Sequence, residues 1–116
     1  MKLSDKVALV TGASSGIGRS IVRLFAQEGA QVVGTDINPG GLESLAKEIE
    51  QMGHPSPTTV VGNVSSRDDA ENMVTAALNT YGTLDIVVNN AGIMDEFVPL
   101  GDLDDVMWRQ VLGVNL

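Results

Sequence analysis

Residues 11–18 read Thr-Gly-Ala-Ser-Ser-Gly-Ile-Gly and follow directly on the apolar run Val7-Ala8-Leu9-Val10. A strand, a glycine-rich turn and the start of a helix in one stretch make an anion site. The helix N-terminus leaves backbone N–H groups unpaired and carries a partial positive charge, and glycines let a backbone approach a pyrophosphate closely. Gly12, Ser14, Ser15, Gly16, Ile17 and Gly18 are the candidate contacts. The helix continues through Ile17, Ile21, Val22, Phe25 and Ala26, an apolar face at 3.6-residue spacing, and stops at Gly29. The spacing differs from Gly-x-Gly-x-x-Gly. It is not a P-loop either, because no Lys-Ser or Lys-Thr follows Gly18 and a nucleoside triphosphate would lack its lysine.

An acid stands at a matching distance. Gln31–Asp36 reads Gln-Val-Val-Gly-Thr-Asp, a short β-branched strand whose last residue lies 18 positions past Gly18, near the roughly 20-residue offset of a ribose-binding acid. A carboxylate there accepts hydrogen bonds from both adenosine ribose hydroxyls and repels a 2′-phosphate. No Arg or Lys at positions 37 or 38 attracts one, since Ile37 and Asn38 stand there. Asp36 and Ile37 are therefore candidate cofactor residues, with NAD expected over NADP. The competing use of Asp36 is to begin a turn with Asn38, Pro39 and Gly40.

At these residues the chain resembles the short-chain dehydrogenase/reductase family. Thr11–Gly18 is similar to that family's cofactor loop. Asn89-Asn90-Ala91-Gly92 is similar to its second signature, at the end of the fourth strand, and Val114-Asn115-Leu116 to the segment carrying a catalytic-site asparagine. The resemblance covers the whole chain. It implies a Rossmann-like, doubly wound α/β domain over residues 1–116 with a parallel sheet in the order 3-2-1-4, truncated before strand 5. It implies an NAD(H)-dependent oxidoreductase that interconverts small-molecule alcohols and carbonyls by hydride transfer, a homo-oligomer as the complete enzyme.

The resemblance also assigns roles. Asn90, Ala91 and Gly92 lie along the adenosine ribose and pyrophosphate bridge, and Asn89 holds strand 4 against strand 1 through neighbouring backbone. Thr11 bonds this loop without being a ligand. Asn63 stands where the family usually has an acid; its amide carbonyl and the Val64 N–H would meet adenine. Asn115 holds a water in a proton relay. Each has a plainer alternative: a strand-end turn for Asn63, an Asn/Gly loop for residues 89–92, a helix-end amide for Asn115.

The family's chemistry also needs a Tyr-x-x-x-Lys pair, the tyrosine moving the substrate proton. The only tyrosine is Tyr81 and the residue four later is Asp85. The chain is therefore expected to be the first half of a larger enzyme and inactive alone. The rival readings are a non-catalytic dinucleotide-binding or regulatory module and the N-terminal part of a sugar-nucleotide epimerase-like enzyme.

The elements that must position these residues form a repeated strand–helix pattern. Strands are expected at Lys6–Thr11, Gln31–Asp36, Thr58–Gly62 and Leu84–Asn89, and helices at Ser15–Glu28, Gly40–Met52 and Arg67–Tyr81. A fourth helix is expected from Asp102 to Leu116, with Met107, Trp108 and Val111 as packing residues. Without strand 5 the outer edge of strand 4 would be unpaired, so the chain is expected to pair it with another copy, to dock on the missing half of the enzyme or to aggregate. Alternation of strands and helices implies a parallel sheet with right-handed crossovers.

Composition agrees with one such domain. Of 116 residues 43% are hydrophobic and 3% aromatic, so the core rests on Val, Leu, Ile and Ala, which suits strands buried on both faces. The net charge of −8 argues against nucleic acid and anionic membranes as partners. There is no cysteine, which excludes disulfides and thiolate catalysis. No apolar run approaches the ~18 residues of a membrane span, and a cytoplasmic protein is expected. The acids Asp95, Glu96, Asp102, Asp104 and Asp105 lack calcium-loop spacing and suit helix capping; no metal is expected. His54, the one histidine, lies in a Pro/Gly loop and is expected to face solvent.

Overall fold

Two strands are buried at every residue, and the rest of the domain is arranged around them. These are β1 (Val7–Thr11) and β4 (Leu84–Val88). The computed structural model describes residues 2–90 and, as backbone, residues 111–115. The other elements are α1 (Gly16–Gln27), β2 (Gln31–Asp36), α2 (Pro39–Gln51), β3 (Thr58–Val61), α3 (Arg67–Tyr81) and β5 (Val111–Asn115). All strand pairs are parallel, in the order β3-β2-β1-β4-β5. The expected 3-2-1-4 order is present, and both glycine-bearing signatures begin at carboxyl ends of the two central strands.

Alternate residues of β1, and of β4 from Ile86 on, face opposite layers, and Leu84 at the start of β4 joins the layer of Val87. Ala8, Val10, Ile86 and Val88 pack with Val22 and Phe25 of α1 and Leu42, Leu45 and Ile49 of α2. Val7, Leu9, Leu84 and Val87 pack with Ala70, Met73, Val74 and Ala77 of α3. Aliphatic side chains thus fill both layers. Ile17, expected on the buried face of α1, is instead 71% exposed at the helix start. His54 is half-buried, not solvent-facing: it lines a cavity of about 450 Å³ with Pro55, Pro57 and Tyr81 beside the start of β2.

A buried carboxyl group ties the central strands together. Asp85 in β4 accepts a hydrogen bond from the Val7 N–H at 2.9 Å. Asp85→Ala leaves that N–H buried and unpaired and should cost about 1–3 kcal/mol of stability. Urea unfolding measures it; an unchanged midpoint would mean that Val7 has another partner.

The expected fourth helix is corrected over residues 111–115. This stretch runs as β5 alongside β4, with Leu84 opposite Val111, Ile86 opposite Val114 and Val87 opposite Asn115, and a register irregularity between Leu84 and Ile86. Val111 and Val114 are β-branched and Gly113 is a poor helix former, so the segment has little helical preference to oppose pairing with a buried strand. The edge of β4 expected to be open is therefore occupied, and self-association through it loses its basis. Residues 91–110, with the acids from Asp95 to Asp105 and with Met107 and Trp108, lie outside the described residues.

Candidate functional site

The carboxyl ends of β1 to β4 surround a cleft of about 340 Å³. It brings together Gly12, Ser15, Asp36, Ile37, Asn63, Val64 and Asn90, all expected from the sequence, and adds Thr35 and Gly62. Ser14, Gly16, Ile17 and Gly18 shape the adjoining loop. Ala91 and Gly92 lie outside the described residues. Asn115 is placed on β5, not in a helix.

The start of α1 differs from the other helix starts. Asn38 caps α2 by accepting from the Gly41 N–H at 3.0 Å, and Ser66 caps α3 by accepting from the Asp69 N–H at 3.3 Å. At α1 the extended Ser15 makes no side-chain cap bond, and the first turn, like that of α2, holds no acid. Its backbone N–H groups and its dipole are thus left to an external anion. Gly12 and Gly16 have φ of 63° and 58°, the left-handed region, and nothing lies within 4 Å of the position of a Cβ at Gly16. Gly18 is needed for contact instead: a Cβ there would stand 2.0 Å from the Gly12 carbonyl oxygen and 2.6 Å from Asn90 Nδ2.

Thr11 locks the two signatures together, as expected. Its hydroxyl donates to the Val88 carbonyl at 3.3 Å and accepts from the Asn90 N–H at 2.9 Å. The tie between β1 and β4 assigned to Asn89 is made by this hydroxyl; Asn89 itself is exposed. An asparagine after a strand end does not reveal from sequence which of two neighbours turns inward.

Asp36 is held at the end of β2. Its Oδ2 accepts from the Ser14 hydroxyl at 2.6 Å and the Ser14 N–H at 3.1 Å, and its Oδ1 from the Asn38 N–H at 3.2 Å. Burial pushes this carboxyl upward. The Ser14 hydroxyl, together with the N–H groups of Ser14, Asn38 and Ile37, outweighs burial and holds it below its usual range. The group is a carboxylate at neutral pH, able to accept from ribose hydroxyls. Ser14 is itself buried and directed at Asp36.

Asn63 carries out the turn alternative. Its Oδ1 accepts from the Ser65 N–H at 2.9 Å and the Ser65 hydroxyl at 2.7 Å, while its own N–H donates to Asp69 at 2.9 Å. It lines the cleft with its amide oxygen already engaged. Ile37, 69% exposed, and Val64, half-buried, offer apolar surface to a flat ring. Tyr81 is taken up elsewhere, its hydroxyl 2.7 Å from Thr58 Oγ1.

The residues present fit a dinucleotide: an anion site at α1, a ribose acceptor at β2 and apolar surface beyond it. One buried polar atom bears on the same cleft. Thr35 Oγ1 is fully buried and has no partner among the described residues. Sequence reasoning missed Thr35 because a threonine inside a β-branched strand reads as sheet filling. Thr35→Val should raise stability by about 1–2 kcal/mol, since an unsatisfied buried hydroxyl carries a desolvation cost of that order. Urea unfolding checks it; a loss of stability would show that the hydroxyl is satisfied.

Comparison with known proteins adds the family. A model of the short chain dehydrogenase family matches residues 6–116. The chain is 43% identical over 114 residues to 3beta-hydroxysteroid dehydrogenase 2 of Eggerthella lenta, covering 98% of this chain and 44% of that relative. It is 43% identical over 117 residues to the 3-oxoacyl-[acyl-carrier-protein] reductase FabG of Thermotoga maritima, covering 100% of this chain and 46% of that one. It therefore spans under half the length of these relatives. Among solved structures, a short chain dehydrogenase/reductase from Burkholderia phymatum in complex with NAD has a TM-score of 0.75 at 30% identity, covering 80% of this chain and 33% of that one. Glucose dehydrogenase of Caenorhabditis elegans has a TM-score of 0.77 at 37% identity, covering 83% of this chain and 41% of that one. No helix among the described residues is long and apolar enough to cross a membrane.

Proposed function

The chain belongs to the short-chain dehydrogenase/reductase family, and we propose that it forms the NAD(H)-binding part of an oxidoreductase interconverting small-molecule alcohols and carbonyls. The observation that carries this reading is Asp36: an ionised carboxylate on the same cleft as the uncapped start of α1, with no cation beside it at positions 37 and 38. The relative from Burkholderia phymatum in complex with NAD supports it.

Each described residue has a task. The start of α1, opened by Gly12 and Gly16, receives the pyrophosphate. Asp36 accepts from the adenosine ribose. Ile37 and Val64 flank the adenine. Asn90, fixed by Thr11, adjoins the cofactor where Gly18 lets the backbone close in. By the family resemblance Ala91 and Gly92, outside the described residues, are further cofactor contacts, and Asn115 is assigned a water in proton transfer. The cofactor, when bound, supplies the hydride acceptor or donor.

The proton-transfer pair Tyr-x-x-x-Lys is not among these residues. Residues 1–116 alone should therefore show no alcohol oxidation. Incubating them with NAD⁺ and a panel of secondary alcohols, with reduced cofactor monitored by absorbance, tests this. Turnover that survives repurification and vanishes in Asn115→Ala would refute it. The cofactor assignment is tested by calorimetric titration of the intact protein with NAD⁺ and NADP⁺. Tighter NAD⁺ binding is expected; tighter NADP⁺ binding, or none of either, overturns the reading.

A further inference from the structure

Asp36 is held from behind by a chain of bonds that no cofactor contact requires. Ser14 gives both its hydroxyl and its N–H to one carboxylate oxygen. The Ser14 carbonyl, on the other side of the same residue, accepts from Arg19 Nη1 at 3.0 Å. Arg19 is largely buried, with an 18% exposed side chain. Its other two nitrogens are also engaged, Nε with Glu48 at 2.7 Å and Nη2 with the Ser44 hydroxyl at 3.1 Å. Glu48 takes a second guanidinium from Arg23 at 2.5 Å. The first turn of α2 closes on Ser14 as well, since a Cβ at Gly41 would lie 2.6 Å from the Ser14 Cβ.

We propose that Ser14 and Arg19 are positioning residues for recognition at the adenosine 2′ position. Arg19 fixes the Ser14 peptide against α2, and Ser14 fixes the carboxylate of Asp36. A carboxylate has about four lone-pair sites. Ser14 and the Asn38 N–H occupy some of them and hold the group against rotation, so the remaining sites face the ribose without an ordering cost at binding. The same arrangement keeps the Arg19 and Arg23 guanidinium groups on Glu48, where they are not offered to a 2′-phosphate. Sequence alone placed Ser14 among the cofactor contacts; its hydroxyl is directed at the acid instead.

The inference rests on the cofactor reading and is tested so that the two can fail separately. Isothermal calorimetry on the intact protein compares NAD⁺ with NAD⁺ lacking the adenosine 2′-hydroxyl. The wild-type protein should prefer NAD⁺ by about tenfold or more, as one charge-assisted hydrogen bond allows. Ser14→Ala should reduce this ratio to about threefold or less, with NAD⁺ losing more affinity than the deoxy analogue, because the analogue has only its 3′-hydroxyl to bond the aligned carboxylate while NAD⁺ has both. Arg19→Gln, outside the hydrophobic core clusters, should move the ratio in the same direction. Thermal melts establish that both variants fold. Variants that weaken both ligands equally, with the ratio kept, would show a structural role only and overturn the inference. A ratio lost in Ser14→Ala but kept in Arg19→Gln overturns the part assigned to Arg19. A wild-type protein that binds neither ligand, or does not discriminate, overturns the cofactor reading and this inference together.

Discussion

Gly18→Ala should remove NAD⁺ binding and lower stability by about 3 kcal/mol, because the added methyl has no room and backbone must move to make it. Its Cβ would stand 2.0 Å from the Gly12 carbonyl oxygen and 2.6 Å from Asn90 Nδ2. The Asn90 amide is a side-chain end and can turn aside, but the Gly12 carbonyl is backbone, so the glycine loop itself must move. Gly16→Ala is the contrasting case. Nothing lies within 4 Å of its Cβ, and the penalty is only that of φ +58°, about 1–2 kcal/mol. Urea unfolding and calorimetric titration separate the two. A Gly18→Ala protein with unchanged midpoint and affinity would show that the loop and Asn90 are not in the contact described.

Asp36→Ala should weaken NAD⁺ by about a hundredfold, with two charge-assisted bonds to ribose lost at ~1.5 kcal/mol or more each. NADP⁺ should gain relative to NAD⁺, since the repelling charge is gone. The ratio of the two dissociation constants, measured on variant and wild type, is the decisive quantity; an unchanged ratio removes Asp36 from cofactor selection. A pH series carries an independent sign. Burial raises the folded-state pKa of Asp36, and the Ser14 hydroxyl leads the hydrogen bonds that bring it below the usual value. Its contribution to stability is thus fully present above its unfolded pKa of about 3.9 and is lost as pH falls through the lower folded value. NAD⁺ preference should accordingly be flat from pH 8 down to about pH 5 and decline only at more acid pH, where the carboxylate protonates.

Much of the fold was legible because local and long-range signals agree. The bounds of β2 and α3 match the expected ones, and the buried positions of α2 and α3 lie on the stripes that 3.6-residue spacing marks out. Gly29 and Gly82, with φ of 91° and 82°, stand where chain reversals were expected. The cleft was legible for the same reason: seven of its residues lie in motifs whose spacing has a mechanical purpose. What was not legible depended on competition between equivalent groups. Asn63 carries an amide that suits adenine or a turn, and the bonds its oxygen makes depend on Ser65 two positions on, which residue type alone does not reveal. The side-chain tie at the carboxyl ends of β1 and β4 required knowing that the Thr11 hydroxyl, and not the Asn89 amide, is enclosed. Residues 111–115 have weak helical preference and a β-branched composition, and pairing with β4 is a tertiary fact that periodicity does not contain.

The bonds from Asp85 to Val7 and from Thr11 to Val88 span 78 and 77 positions of chain. Strands β2 and β3 each pair with the strand before them in the chain, whereas β1 and β4 can meet only after a long loop is closed, at an entropic cost of about 4 kcal/mol from the logarithm of its length. High separation of this kind slows folding. The sheet should therefore zip from β1 through β3 before β4 takes its place beside β1. Asn90 is set against Gly18 only at that last step, so dinucleotide affinity should be acquired late in folding, and during synthesis only after the chain past Asn90 has left the ribosome.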